Sequence, residues 1–175
     1  MTETVPTAFA IAASVCDDID RWLKKYPPDQ KSSAVVPALL LVQQQNGGWL
    51  STEAMDAVAA YLGMPPIAVY EVTTFYDMYH LQPIGKNKIG VCTNVPCMLR
   101  GSDDIVACLQ QRLGISFGET TKDGLFTLRE LECMAACVSA PMCQVNDKTY
   151  YENLTPKKML DIVDQLERET HSRAK

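Results

Sequence analysis

The sequence predicts an α+β protein, with a helical bundle over residues 1–82 followed by an α/β domain with a mixed sheet over residues 83–175. Three observations predict it. Apolar residues recur at three- and four-residue intervals through the first half. From Lys86 onward, short strand-like runs alternate with helical ones. Of seven cysteines, only Cys16 lies in the first half, while Cys92, Cys97, Cys108, Cys133, Cys137 and Cys143 crowd into the second.

In the first half, Phe9, Ala12, Cys16, Ile19, Trp22 and Leu23 form one helical stripe that ends before Pro27-Pro28. A second helix over Val35 to Val42 follows Ser32-Ser33, carries Pro37 in its first turn and stops at Asn46-Gly47-Gly48. Ser51 caps a third, with Met55, Val58, Ala59 and Leu62 on one face and Gly63 past its end. A fourth starts near Pro66 and runs through IAVYEVTTFYDMY, ending at His80. Short connections make these an antiparallel bundle. No internal repeat or low-complexity linker interrupts it.

In the second half, KIGVC (Lys88 to Cys92) reads as a buried strand. After a turn-rich stretch, Ser102-Asp103-Asp104 supplies a cap and first-turn acids for a helix bearing Ile105, Val106, Leu109 and Leu113. FTLREL (Phe126 to Leu131) and Met142 to Val145 read as strands, and Asn146-Asp147-Lys148 turns the latter into a hairpin with Thr149 to Tyr151. Thr155 and Pro156 open a last helix with Met159, Leu160, Val163 and Leu166 inward. The order βαβββα allows one parallel pair and adds antiparallel strands. His171 falls in a polar tail expected to fray.

Composition excludes several classes. Hydrophobic residues make up 47% and charged ones 21%, the values of a chain with a core rather than of a disordered one. A net charge of -5 opposes general binding to nucleic acid or anionic lipid. The longest apolar run, Ala34 to Val42, is far short of the roughly 20 residues of a membrane span. The opening MTETVPTAFAIAA has no basic segment before its apolar run, so a cytoplasmic protein is expected. No Gly-x-Gly-x-x-Gly follows a strand, no P-loop occurs, and His80 and His171 are far apart, so no nucleotide or flavin site is expected in this chain.

The cysteine spacing is the most informative feature. Cys92 and Cys97 enclose four residues and Cys133 and Cys137 three, each pair following a strand. If those strands are parallel neighbours, both loops leave the same sheet edge and four thiolates can converge. Three chemistries compete. A thioredoxin-type redox dithiol wants Cys-x-x-Cys, which is absent. Structural zinc would accept one of the pairs. A 2Fe-2S cluster, wider than one ion, needs two thiolates at each end and suits looser spacers like those of plant-type ferredoxins. Its charge of about -2, or about -3 when reduced, would favour the nearby helix N-terminus at Ser102 and Arg100, although Arg100 is equally well an ordinary exposed side chain. Cys16, Cys108 and Cys143 read as small core hydrophobes, with Cys143 as a fallback ligand.

The cysteine pattern, the segment ECMAACVSAPMCQVND and the segment EVTTFYDMY together resemble the thioredoxin-like 2Fe-2S subunit of NADH:quinone oxidoreductase, the 24 kDa or E-type component of respiratory complex I, from about Ala8 to Leu166. Relatives of that component also serve NAD-linked hydrogenases and formate dehydrogenases. The resemblance implies a thioredoxin-like second domain and Cys92, Cys97, Cys133 and Cys137 as ligands of one 2Fe-2S cluster. It further implies docking on the flavoprotein subunit that holds FMN and NADH, among other peripheral-arm subunits. In that setting the cluster lies beside the main iron-sulfur wire, and the chain is a subunit of an NADH dehydrogenase, inactive alone, cytoplasmic and held at the inner membrane only through the complex. The opposing class is a zinc-stabilised scaffold or redox-sensing adaptor. Members of the family often have Gly where this chain has Ala135 and Asn where it has Ser139. If that Gly serves a positive φ, Ala135 adopts it at small cost or the loop differs. The Ala140-Pro141 peptide is expected to be trans. For Glu71 to Tyr79, seating on a partner and bundle packing through Tyr70, Thr74, Phe75 and Met78 are both open.

Overall fold

Capping residues and glycines divide the first half much as expected. The computed structural model describes residues 9–173, so the first eight residues of the opening segment lie outside the described residues. Helix α1 spans Ala13–Leu23, α2 Val35–Gln45, α3 Thr52–Leu62 and α4 Pro66–Phe75. Gln45 fixes the entry to α1: its side chain accepts from the Ala12 N–H (2.9 Å) and donates to the Ala10 carbonyl (2.8 Å). Ser51 caps α3 by accepting from the Ala54 N–H, and Gly63 closes it in the left-handed conformation (φ 67°). Ile19, Leu39, Val42, Val58 and Val69 are at the centre of the core these helices share.

The fourth helix is shorter than predicted. It ends at Phe75, and Tyr76 is already extended. Tertiary packing overrides the helical pattern, because Tyr79 turns into the core and its hydroxyl donates to the Val36 carbonyl (3.0 Å). His80 is correspondingly buried rather than at a helix end, its N–H donating to Gln43 Oε1 (2.8 Å) and its carbonyl accepting from Leu50 (2.7 Å). The buried face of α4 is Val69 and Thr73, not Phe75, which is exposed.

The chain divides into two compact units, the first ending at Pro83 and the second beginning at Ile84. The second contains β1 (Asn87–Cys92), α5 (Val95–Leu99), α6 (Ser102–Leu113), β2 (Phe126–Leu131), β3 (Cys143–Val145), β4 (Thr149–Tyr151) and α7 (Pro156–Arg173). The strands form one mixed sheet ordered β2-β1-β3-β4, with β1 and β2 parallel and the other pairs antiparallel. Asn146 and Asp147 take positive φ in the β3–β4 turn, as a tight hairpin requires. Ile105 and Leu109 of α6 and Met159 and Val163 of α7 bury against Ile89, Val91 and Leu128 of the sheet. Arg112 joins the two helices through Asp164 (3.1 Å) and Glu167 (2.9 Å).

Three local expectations need correction. Gly101 (φ 95°), not Ser102, is the cap of α6, and the wholly buried Ser102 hydroxyl has no hydrogen-bond partner among the described residues. The Ala140-Pro141 peptide is cis rather than trans, an isomer that the tertiary amide before a proline admits. His171 lies within α7, its Nδ1 2.7 Å from the Glu167 carbonyl, because the helix continues past the last core residue, Leu166. No helix among the described residues is long and apolar enough to cross a membrane.

Candidate metal centre

The parallel pairing of β1 and β2 builds the site. Register runs from Asn87 opposite Phe126 to Cys92 opposite Leu131, so the two strands end at the same level. Both cysteine loops therefore emerge side by side, as convergence of the four thiols requires. Cys92 is the last residue of β1. Cys97 sits in the first turn of α5, a short helix opened by Val95 and Pro96 where the sequence predicts only turns. Cys133 lies two residues past the end of β2, and Cys137 begins a single 3-10 turn.

The thiols form two pairs in different surroundings. Cys92 and Cys97 are each 2% exposed and pack with Ala140 and Met142, against which Met134 and Ala136 are partly buried. Cys133 is exposed and Cys137 half-buried, with their sulfurs 3.5 Å apart. Burial first, then the adjacent Cys92 thiol, pushes the Cys97 thiol up to about 11, while a backbone N–H of Met142 directed at the sulfur opposes the rise. The Cys137 thiol is raised by its hydrogen bond with Cys133. Cys92 and Cys137 both act on Cys97, and Cys92 also acts on Cys137, so the pairs are within electrostatic reach of each other. Such crowding penalises free thiolates, whereas cationic metal between them reverses the penalty. Among the described residues, no group of three or more His, Cys, Asp or Glu gathers closely enough to hold one metal ion.

Backbone contacts brace both loops. The Cys92 N–H donates to the Met142 carbonyl (3.3 Å), and Arg100 Nε donates to the Ala140 carbonyl (2.9 Å). Arg100 is thus exposed yet joins the first loop to the chain entering β3. Asn153 and Leu154 donate to the Ser139 and Pro141 carbonyls (2.7 and 3.0 Å), pinning the second loop from its other side. Ala135 has φ 60°, so this position does use the left-handed conformation that Gly adopts freely. The helix N-terminus beside Cys97 belongs to α5 rather than to α6.

The other cysteines stay apart from this centre. Cys143 is fully buried with its sulfur 3.8 Å from that of Met159, and burial pushes its thiol up to about 12. Cys16 and Cys108 are half-buried rather than central to the core. Sequence reasoning missed two side-chain bonds from the first cysteine loop, Thr93 to Glu130 near the end of β2 and Asn94 to Glu132 at the start of the second loop. It also missed exposed apolar residues around the centre, among them Leu99 (76% exposed) and Val138 (93%). Val95-Pro96, a helix-opening pair, was the available signal for α5.

Comparison with known proteins agrees with this geometry. The family model for the thioredoxin-like 2Fe-2S ferredoxin matches residues 19–167. The E-type subunit of the NADH-quinone oxidoreductase of Rickettsia bellii is 54% identical over 153 residues, 87% of this chain and 89% of that protein. The mitochondrial NADH dehydrogenase (ubiquinone) flavoprotein 2 of Dictyostelium discoideum is 47% identical over 148 residues, covering 85% of this chain and 60% of that protein. The crystal structure of an NAD+-reducing NiFe hydrogenase in the air-oxidized state shares the fold over 75% of this chain and 23% of that one, at 18% identity and a TM-score of 0.66. With its paired thiols on a mixed sheet and a family match spanning most of its length, the chain belongs to the thioredoxin-like 2Fe-2S ferredoxins.

Proposed function

We propose that this chain is the cluster-bearing subunit of an NADH:quinone oxidoreductase, with Cys92, Cys97, Cys133 and Cys137 holding one 2Fe-2S cluster. The observation that carries the reading is the common level at which β1 and β2 end, so that both cysteine loops leave the same edge of the sheet. Two thiol pairs within electrostatic reach of each other suit a binuclear group, which takes two thiolates at each end. Bound there, a 2Fe-2S cluster accepts and releases one electron at a time.

The chain's own residues supply the rest. Met134, Ala136, Ala140 and Met142 keep water from the inner thiol pair. The Met142 N–H adds a donor to the Cys97 sulfur, the kind of contact that stabilises negative charge on sulfur. Val95, Met98, Leu99 and Val138 surround the centre with exposed apolar surface suited to a protein electron donor. That donor is the FMN- and NADH-binding flavoprotein subunit, and the helical unit helps to seat the chain in a peripheral arm on the cytoplasmic side of the membrane. High identity to the E-type subunits of two Rickettsia NADH-quinone oxidoreductases supports this placement.

Isolation of the tagged full chain from its cell tests the assignment. A flavin-containing, NADH-oxidising partner together with membrane subunits is the expected outcome. A nickel-iron or molybdenum subunit would reassign the chain to a hydrogenase or formate dehydrogenase, and recovery of the chain without any flavoprotein would contradict the reading.

A further inference from the structure

Beyond Cys92 and Leu131 the β1–β2 register ends, and no strand pairing holds the two cysteine loops together. Two side-chain hydrogen bonds take over at that point. Thr93 Oγ1 donates to Glu130 Oε1 at 2.6 Å, and Asn94 Nδ2 donates to Glu132 Oε2 at 2.8 Å. Both donors come from the two residues that follow Cys92, and Glu132 directly precedes Cys133. Glu130 and Glu132 are two apart on extended chain, so they project to the same side toward the first loop. Each bond links residues separated by more than thirty positions, in a place where a change of spacing moves one thiol pair relative to the other.

Resting on the ligand reading above, we infer that Thr93, Asn94, Glu130 and Glu132 are positioning residues that fix the span between the two thiol pairs. The same carboxylates set the charge the centre meets on reduction. A hydrogen bond to an ionised acceptor is shorter and roughly twice as strong as a neutral one, so carboxylates at the end of β2 and just past it suit a clamp on the exposed loop that follows β1. Their choice has a second consequence. Glu132 adjoins a proposed ligand, and negative charge there disfavours the arrival of an electron. The clamp thus couples the geometry of the ligand set to its affinity for an electron. Neither effect requires Glu130 or Glu132 to touch the bound group.

The two effects separate by substitution in the full chain, loaded anaerobically with iron and sulfide and measured at pH 7. Asn94→Ala and Glu132→Ala should each speed loss of visible absorbance to an iron chelator by roughly three- to tenfold and broaden the EPR signal of the reduced protein. Glu132→Gln keeps an acceptor for Asn94, so it should restore wild-type retention and line width. Having lost the charge, it should still favour reduction by about threefold or more in the equilibrium constant, read as a higher midpoint potential. Asn94→Ala and Glu132→Gln both matching the wild type in retention, line width and potential would overturn the inference. A wild-type chain that holds no iron and sulfide would instead overturn the ligand reading on which it rests.

Discussion

Cys92 and Leu131 are register partners, the last residues of two parallel strands. The level they share is the reason the loop after β1 and the loop after β2 can serve one centre. Leu131 also fills the space left by Gly90 in β1: a Cβ on Gly90 would collide with Leu131 Cδ1 and lie 2.7 Å from its Cγ.

Gly90→Ala should therefore push Leu131 aside and disturb the start of the second cysteine loop. Because the obstructing atoms belong to a movable side chain, the fold should survive at a loss of about 1–3 kcal/mol. Urea unfolding should show a lower midpoint with an unchanged slope. A midpoint equal to that of the wild type would show that β1 tolerates a side chain there.

Ala135 occupies the left-handed region at φ 60°, two residues before Cys137. An L-residue there costs roughly 1–2 kcal/mol, partly offset by the greater freedom that Gly restores to the unfolded chain. Ala135→Gly should stabilise the protein by about 0.5–1 kcal/mol and leave its visible spectrum unchanged. Thermal unfolding at fixed scan rate checks the gain, and a loss of stability would contradict the assigned backbone geometry.

Cys143 is fully buried beside Met159 and lies outside the proposed ligand set. Cys143→Ala should remove a packed sulfur and cost about 1–2 kcal/mol while leaving iron content and absorbance at wild-type levels. Loss of the chromophore in this variant would make Cys143 a ligand.

The same thiol predicts a pH dependence. In the unfolded chain it ionises near its ordinary 9.0, whereas burial delays ionisation in the folded protein to about 12. The folded-state value is raised for an acidic group, so its contribution to stability is intact below pH 9 and falls as pH rises from 9 toward 12. Since alanine cannot ionise, the stability gap between wild type and Cys143→Ala should narrow over that range. Paired urea titrations at several pH values measure it, and a constant gap would contradict the buried, neutral thiol.

Much of this structure was legible because local chemistry and tertiary packing agree. Ser51 and Gly63 bound α3 in both sequence and structure. Thr155 and Pro156 open α7 as expected, with the Thr155 hydroxyl accepting from the Lys158 N–H at 3.3 Å. That both cysteine loops leave the same edge of the sheet was legible as well, because each cysteine pair follows a strand and the two strands pair in parallel. What escaped depends on contacts distant in sequence. Nothing local to Tyr79 announces that its hydroxyl will reach Val36 and so end α4 early. Nor does the spacing of Thr93 and Asn94 from Glu130 and Glu132 show that these residues tie the first cysteine loop to the end of β2 and the start of the second loop. Gly101 took the cap of α6 from Ser102 because α5, just before it, leaves a turn that needs positive φ.

Metal and sulfide analysis tests most directly whether four cysteines on two loops hold one binuclear cluster. Iron, zinc and acid-labile sulfide should be quantified in the anaerobically purified full chain and in single serine variants of Cys92, Cys97, Cys133 and Cys137, with EPR of each reduced sample. The wild type should be red-brown, with about two irons and two labile sulfides per chain and a spin-half signal on reduction, lost or altered in every one of the four variants. A colourless wild type with stoichiometric zinc and no labile sulfide would contradict it.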